Sequence, residues 1–166
     1  MMPRLILIRH AKSGWDDPLM TDHQRPLAER GERAAPQIGA WLAAQGVLPE
    51  EVLCSDATRT RQTWDLISTT LPGAPTPRLV PALYHAAPET MLRVLQGATG
   101  QVVAMIGHNP GIAEFARLIV ARAPEHSGFA RYPTAATLVA EFDADWAAVR
   151  FGAGRTVAFT TPRDLG

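Results

Sequence analysis

The chain has 166 residues, 46% of them hydrophobic and 19% charged, a globular balance that excludes a disordered chain and suits a single domain over 1–166. Sixteen acidic residues offset sixteen basic ones, so no excess charge points to nucleic acid or an anionic membrane as partner. Cys54 is the only cysteine, which excludes an internal disulfide and any multi-cysteine metal site.

The first element is Leu5–Ile8, an apolar run without alternation that suits a strand buried on both faces. It falls short of the ~7–15 apolar residues of a signal-peptide core. No stretch reaches the ~18 of a membrane span, so the expectation is a cytoplasmic protein. Ile38, Trp41 and Leu42 then share a helical face that Gly46 is placed to end, and Pro36 predicts a kink or restart within it. Val52–Cys54 reads as a second buried strand, followed by a helix with Trp64, Ile67 and Leu71 on one face. Gly73–Pro77 is a loop and Leu79–Val80 a weaker strand; Pro88 starts a short helix marked by Met91, Leu92 and Leu95. Val102–Ile106 repeats the buried-strand pattern and leads into a helix with Ile112, Phe115 and Ile119. Ala121–Pro133 reads as loop, and Thr137–Phe142 and Thr156–Thr160 as late strands close enough to pair antiparallel. The predicted fold is α/β: a three-layer α/β/α sandwich with a mostly parallel central sheet and a late antiparallel part.

Polar residues follow the buried runs where ligands bind in open α/β sheets, at the strands' carboxyl ends. The first run ends in Arg9-His10-Ala11-Lys12-Ser13. The second leads through Ser55 to Arg59, in the first turn of its helix. A cation there opposes the helix dipole and is better explained by an anion in front of it. Arg61, two positions on, reads as surface. The run Val102–Ile106 continues as Gly107-His108-Asn109-Pro110, with Asn109 a plausible N-cap, Pro110 a plausible first helical residue, and His108 beside a helix start that favours anions. Arg25, in Asp22-His23-Gln24-Arg25-Pro26-Leu27, either folds back over the same edge or is a surface residue before a helix. Fifteen of the sixteen basic residues are Arg, always-charged forks that match oxyanion geometry.

Arg9-His10, the Arg25-Pro26-Leu27…Arg30-Gly31 segment, Ser55…Arg59…Gln62-Thr63 and Gly107-His108, in this order over nearly the whole chain, resemble the histidine phosphatase (phosphoglycerate-mutase-like) superfamily. The short SixA-type phosphohistidine phosphatases are the nearest fit. The resemblance implies that His10 attacks phosphorus and becomes a covalent phosphohistidine, which water hydrolyses. Arg9, Arg59 and His108 would be catalytic, with Arg25, Ser13 and His85 binding substrate, and nearby cations would hold His10 neutral. The implied partner is a protein phosphorylated on histidine, or a small phosphomonoester, with no cofactor and no metal.

One departure bears on the chemistry. Many family members carry a Glu after the third strand that protonates the leaving group, whereas here Ala82 and His85 occupy that region. Glu89 reads as a dipole-complementing surface residue; the loop residues Asp16, Asp17 and Asp22 are other candidates for the acid, against a reading as solvated residues. The expectation is a site without an evident acid, and therefore a steep dependence on leaving-group pKa; the alternative is His85 as the acid. His23 and His126 read as surface residues. A metallohydrolase built on His10 and His108 is disfavoured by Arg9 and Arg59, which would repel a cation. A phosphomutase would need a larger lid, and a non-catalytic phosphate-binding module would waste the full set of reactive residues.

Overall fold

The computed structural model describes residues 2–15 and 17–166; the candidate acid Asp16 lies outside them. Its strands are β1 (Arg4–Arg9), β2 (Glu51–Cys54), β3 (Arg78–Leu79), β4 (Val102–Gly107), β5 (Thr137–Glu141) and β6 (Arg155–Thr160). They form one sheet in the order β3-β2-β4-β1-β5-β6. β1 to β4 pair in parallel, β5 runs antiparallel to β1, and β6 antiparallel to β5. The helices are α1 (Glu29–Ala44), α2 (Thr58–Ser68), α3 (Pro88–Gln96), α4 (Gly111–Ile119) and α5 (Pro162–Leu165).

The absence of alternation in β1 has a direct cause. Leu5 and Leu7 pack with Met91, Leu95 and Phe115 on the α3–α4 side, while Ile6 and Ile8 pack with Ile38, Trp64 and Ile67 on the α1–α2 side. All four β1 side chains are fully buried, and each contributes roughly 1.5–3 kcal/mol relative to exposure. The result is the three-layer α/β/α sandwich. Cys54 lies in the α1–α2 core, where burial pushes its thiol up to about 12.

Local expectations change in three places. α1 continues through Pro36 with no restart. Buried Ala35, Ile38 and Leu42 hold the helix against the sheet, and the Thr70 hydroxyl donates to the Pro36 carbonyl at 2.5 Å. Asn109 does not cap α4: the helix begins at Gly111, and the Asn109 amide instead donates to the Arg131 and Tyr132 carbonyls. The third strand is Arg78–Leu79, both exposed, so at the sheet's edge it lacks the apolar signature of the inner strands.

The topology makes the crevice. β1 leads to α1 on one face and neighbouring β4 leads to α4 on the other, so the chain diverges between their carboxyl ends. Close packing fixes the loop that leaves β1. A Cβ on Gly31 would stand 2.1 Å from the Lys12 carbonyl oxygen, so α1 seats directly against the segment after His10. A Gly31→Ala variant is expected to lose roughly 1–3 kcal/mol by overpacking, read as a lower urea midpoint. An unchanged midpoint would show that the Lys12 backbone yields freely.

Candidate active site

Arg9 ends β1 opposite Gly107 of β4, and three contacts pin the backbone that follows. The His10 amide donates to the Gly107 carbonyl at 3.1 Å, the Ala135 amide reaches the His10 carbonyl at 3.0 Å, and the Ala11 amide donates to Thr63 Oγ1 at 2.9 Å. Thr63 in turn donates to the Arg59 carbonyl at 2.7 Å. One hydroxyl therefore couples the loop after β1 to the first turn of α2. His108 directly follows β4, and its carbonyl accepts from Ile112 at 2.9 Å as α4 starts. The His10 and His108 ring centroids are 5.4 Å apart.

His10 Nδ1 lies 2.7 Å from the Ala11 carbonyl oxygen. That oxygen only accepts, so Nδ1 carries the proton and Nε2 keeps its lone pair. Burial above all, with the charges of Arg9, Arg59 and Arg25, pushes His10 down to about 3, against the raising effect of its bond to Ala11. Burial outweighs the cations that the sequence singles out. His108 is pushed down to about 2, first by burial and then by His10, Arg59 and His85, with Asp22 opposing. Its Nε2 sits 2.7 Å from Ser55 Oγ, while its Nδ1, like Arg9 Nε and Arg59 Nε, is buried without a hydrogen-bond partner. Such groups are costly unless something polar meets them.

Arg25 folds back over the edge. Its Nη1 donates to Ser13 Oγ at 3.0 Å and its Nε to Asp22 Oδ1 at 3.1 Å, with the guanidinium 3.9 Å from the Trp15 ring centroid. Arg9, His10, Ser13, Arg25, Arg59, His85 and His108 all line one cavity of about 290 Å³. His23 and His126 stand apart from it, with their Nε2 atoms 3.1 and 2.8 Å from carboxylate oxygens of Asp56 and Asp164.

The sequence reading underrates Asp22, which is not a solvated loop residue. Its carbonyl and carboxylate accept both terminal nitrogens of Arg59, at 2.7 and 3.0 Å. The same carboxylate accepts from Tyr84 at 2.5 Å and from His85 Nε2 at 3.0 Å. Partial burial raises its pKa, but the bonds from Tyr84, His85 and Arg59 overcome that and hold the carboxyl well below the usual range. Tyr84 carries no local signal in the sequence, and Ser55 carries one only as part of a motif. The i,i+3 spacing of Asp22 and Arg25 is a usable local signal; the partners of Asp22 in α2 and after β3 have none.

Backbone strain gathers in the same place. Among the described residues the non-glycine residues with positive φ are His85 (53°), Tyr132 (49°) and Ala135 (62°). His85 lines the cavity, the Tyr132 carbonyl accepts from Arg9 at 3.2 Å, and Ala135 holds the Arg9 and His10 carbonyls. Conformations of this kind cost about 1–3 kcal/mol and persist where surrounding contacts enforce them.

Residues 5–84 match the family model described as the histidine phosphatase superfamily, branch 1. A Mycobacterium tuberculosis protein with no assigned function is 35% identical over 163 residues, covering 94% of this chain and 100% of that protein. The chain belongs to the histidine phosphatase superfamily. A chloroplast protein of Arabidopsis thaliana, also without assigned function, is 35% identical over 127 residues, 70% of this chain and 58% of its own length. A solved structure from Nakamurella multipartitia, assigned as the phosphohistidine phosphatase SixA, superposes with TM-score 0.82 at 25% identity, covering 98% of this chain and 97% of that one. The protein histidine phosphatase SixA solved with tungstate shares the fold with TM-score 0.79 at 21% identity, over 98% and 99% of the two chains. This histidine phosphatase thus has the architecture of the SixA-type members.

The buried histidines make its stability pH-dependent. Between pH 6.5 and their folded values, the unfolded chain binds protons that the folded site refuses. Stability is therefore full above about 6.5 and falls as pH drops toward 3, by about 1.4 kcal/mol per pH unit for each histidine. Asp22, whose pKa is lowered, adds a loss only below the ordinary carboxylate range. Urea unfolding between pH 7 and 4.5 is expected to show this slope, and His108→Gln to show about half of it. Parallel slopes in the two proteins would mean that His108 is not held neutral.

Proposed function

We propose that this histidine phosphatase transfers a phosphoryl group from phosphohistidine on a phosphotransfer or phosphocarrier protein to His10 Nε2, and from there to water. One observation carries the reading: the bond from His10 Nδ1 to the Ala11 carbonyl, which leaves an unprotonated Nε2 on a cavity walled by Arg9, Arg59 and His108. A neutral imidazole approaches a dianionic phosphoryl group without the repulsion a carboxylate or thiolate would meet.

In the first step a bond forms between Nε2 and phosphorus, and the bond to the leaving group breaks with its electron pair. In the second, water attacks phosphorus and the electron pair of the P–N bond returns to Nε2. Phosphoryl transfer requires mainly in-line positioning and positive charge on the equatorial oxygens. Arg9 and Arg59 supply forked donors and His108 Nδ1 a further N–H, and all three have a buried nitrogen without a protein partner. Arg25 and Ser13, already joined, form the outer wall that meets the substrate. These protein charges carry the scheme without a metal.

Phosphohistidine fits as substrate because a protonated imidazole leaves as a neutral molecule, and because the likeness to SixA-type structures extends along the whole chain. A histidine-phosphorylated phosphotransfer domain should exceed alkyl and aryl phosphates in kcat/KM by about tenfold or more, which is about 1.4 kcal/mol in the barrier. Tungstate, a tetrahedral oxyanion, should inhibit competitively. Equal or lower kcat/KM on the phosphoprotein would reject phosphohistidine as the preferred substrate.

A further inference from the structure

The mouth of the cavity holds a pair that the transfer to His10 does not use. His85 Nε2 lies 3.0 Å from Asp22 Oδ2. An ionised carboxylate only accepts, so Nε2 carries a proton and Nδ1 is the nitrogen free to gain or lose one. The ring lines the same cavity as His10, and its centroid is 5.2 Å from that of His108. The His85 side chain is 49% exposed, whereas His10 and His108 are almost wholly buried, so with phosphorus at His10 a leaving group that points to the open side meets His85.

We propose that His85, oriented by Asp22, protonates the leaving oxygen of phosphate esters and then activates the hydrolytic water, which extends this site's activity beyond phosphohistidine to alkyl and aryl phosphomonoesters. The inference rests on the phosphatase reading of His10 and supplies the acid that the sequence lacks as a carboxylate. When His10 Nε2 attacks, the P–O bond breaks, its electron pair stays on oxygen, and that oxygen takes the proton from His85 Nδ1. In the second step His85 Nδ1 removes a proton from the attacking water, and the P–N electron pair returns to His10. Each cycle consumes one water and restores both histidines.

The groups facing His85 come from every element around it: Asp22 before α1, Arg59 from α2 sharing the same carboxylate oxygen, Tyr84 beside it, and His108 after β4. Arg9, Arg25 and Lys12 lie elsewhere on the cavity wall. Of these only Asp22 is anionic. It plays for His85 the part a triad aspartate plays for its histidine, fixing the tautomer and stabilising the imidazolium. The backbone supports a functional reading. His85 holds φ at 53°, a left-handed conformation that is uncommon outside glycine and persists where surrounding contacts enforce it.

The test is a linear free-energy series. kcat/KM is measured for 2,4-dinitrophenyl, 4-nitrophenyl, phenyl and ethyl phosphate in wild type, His85→Asn and His85→Gly, with thermal melts to show folding. Asn and Gly both tolerate positive φ, so neither adds backbone strain. Wild type should depend weakly on leaving-group pKa and both variants steeply. The loss should be smallest for dinitrophenyl phosphate and reach roughly 10²–10⁴-fold for ethyl phosphate. Added imidazole should restore ethyl phosphate hydrolysis in His85→Gly, which a purely structural role would not allow. The same loss along the whole series, or none, would overturn the assignment of His85. A wild type that dephosphorylates a histidine-phosphorylated phosphotransfer domain but not dinitrophenyl phosphate would overturn the inference alone, and one inactive on both would overturn the phosphatase reading with it.

Discussion

His10→Ala is expected to abolish turnover, with a loss on the order of 10⁶-fold, the scale on which hydrolases lose activity when their nucleophile is removed. No other group replaces its geometry: His108 Nε2 is engaged with Ser55, His85 is half-exposed and held through Nε2 by Asp22, and the guanidinium groups have no lone pair to offer. The fold should persist, because the backbone contacts of residue 10 to Gly107 and Ala135 do not involve the ring. The Ala11 carbonyl loses one partner, at a cost of about 1 kcal/mol. That loss is offset at acidic pH, where the variant no longer holds a histidine that resists protonation. Rapid quenching of wild type with labelled substrate should trap acid-labile, base-stable phosphate on His10, and the variant should trap none. Substantial residual activity in a folded variant, or label on another residue, would end the covalent scheme.

What the sequence reveals and what it hides follow from distance along the chain. β1, β2 and β4 are legible because strands covered on both faces read as unbroken apolar runs, and Leu5–Ile8 is such a strand. Arg9, His10, Arg59 and His108 are legible because strand ends and helix starts are local features, and an Arg in the first turn of α2 is electrostatically misplaced without an anion. β3 is poorly legible because two exposed residues at a sheet edge carry no burial signal. Asn109 misleads for a related reason: its capping competence is local, but its amide is recruited by the carbonyls of Arg131 and Tyr132. Asp22 is the largest omission. Loop aspartates are usually solvated, and its partners Arg59, Tyr84 and His85 lie 37, 62 and 63 positions away. No periodicity connects them. Only the sheet order, which seats β4 between β1 and β2, brings the loop after β1, the start of α2 and the turn after β3 around one cavity.

Arg59→Ala is expected to lower kcat/KM by roughly 10²–10³, the loss typical when one preorganised donor to a developing oxyanion is removed. The position magnifies the effect in two ways. Arg59 is only 2% exposed, so its charge acts through little screening water. It also secures Asp22 by two separate bonds, to the carbonyl and to the carboxylate, while its Nε is buried without a partner. Removing it therefore takes away an oxyanion donor and frees the carboxylate that holds Tyr84 and His85. Arg59→Lys should recover little of the loss. A single ammonium cannot reach both Asp22 oxygens and present a further N–H to the phosphoryl group, and a point charge does not reproduce the planar fork. Arg9→Ala should fall in the same range, since Arg9 contributes a second fork from the end of β1. Competitive inhibition by tungstate separates binding from chemistry. Both Arg59 variants should raise the inhibition constant, with Arg59→Lys closer to Arg59→Ala than to wild type. Near wild-type kcat/KM and tungstate inhibition in Arg59→Lys would show that charge alone suffices, and that the forked geometry at the start of α2 is not what holds the phosphoryl group.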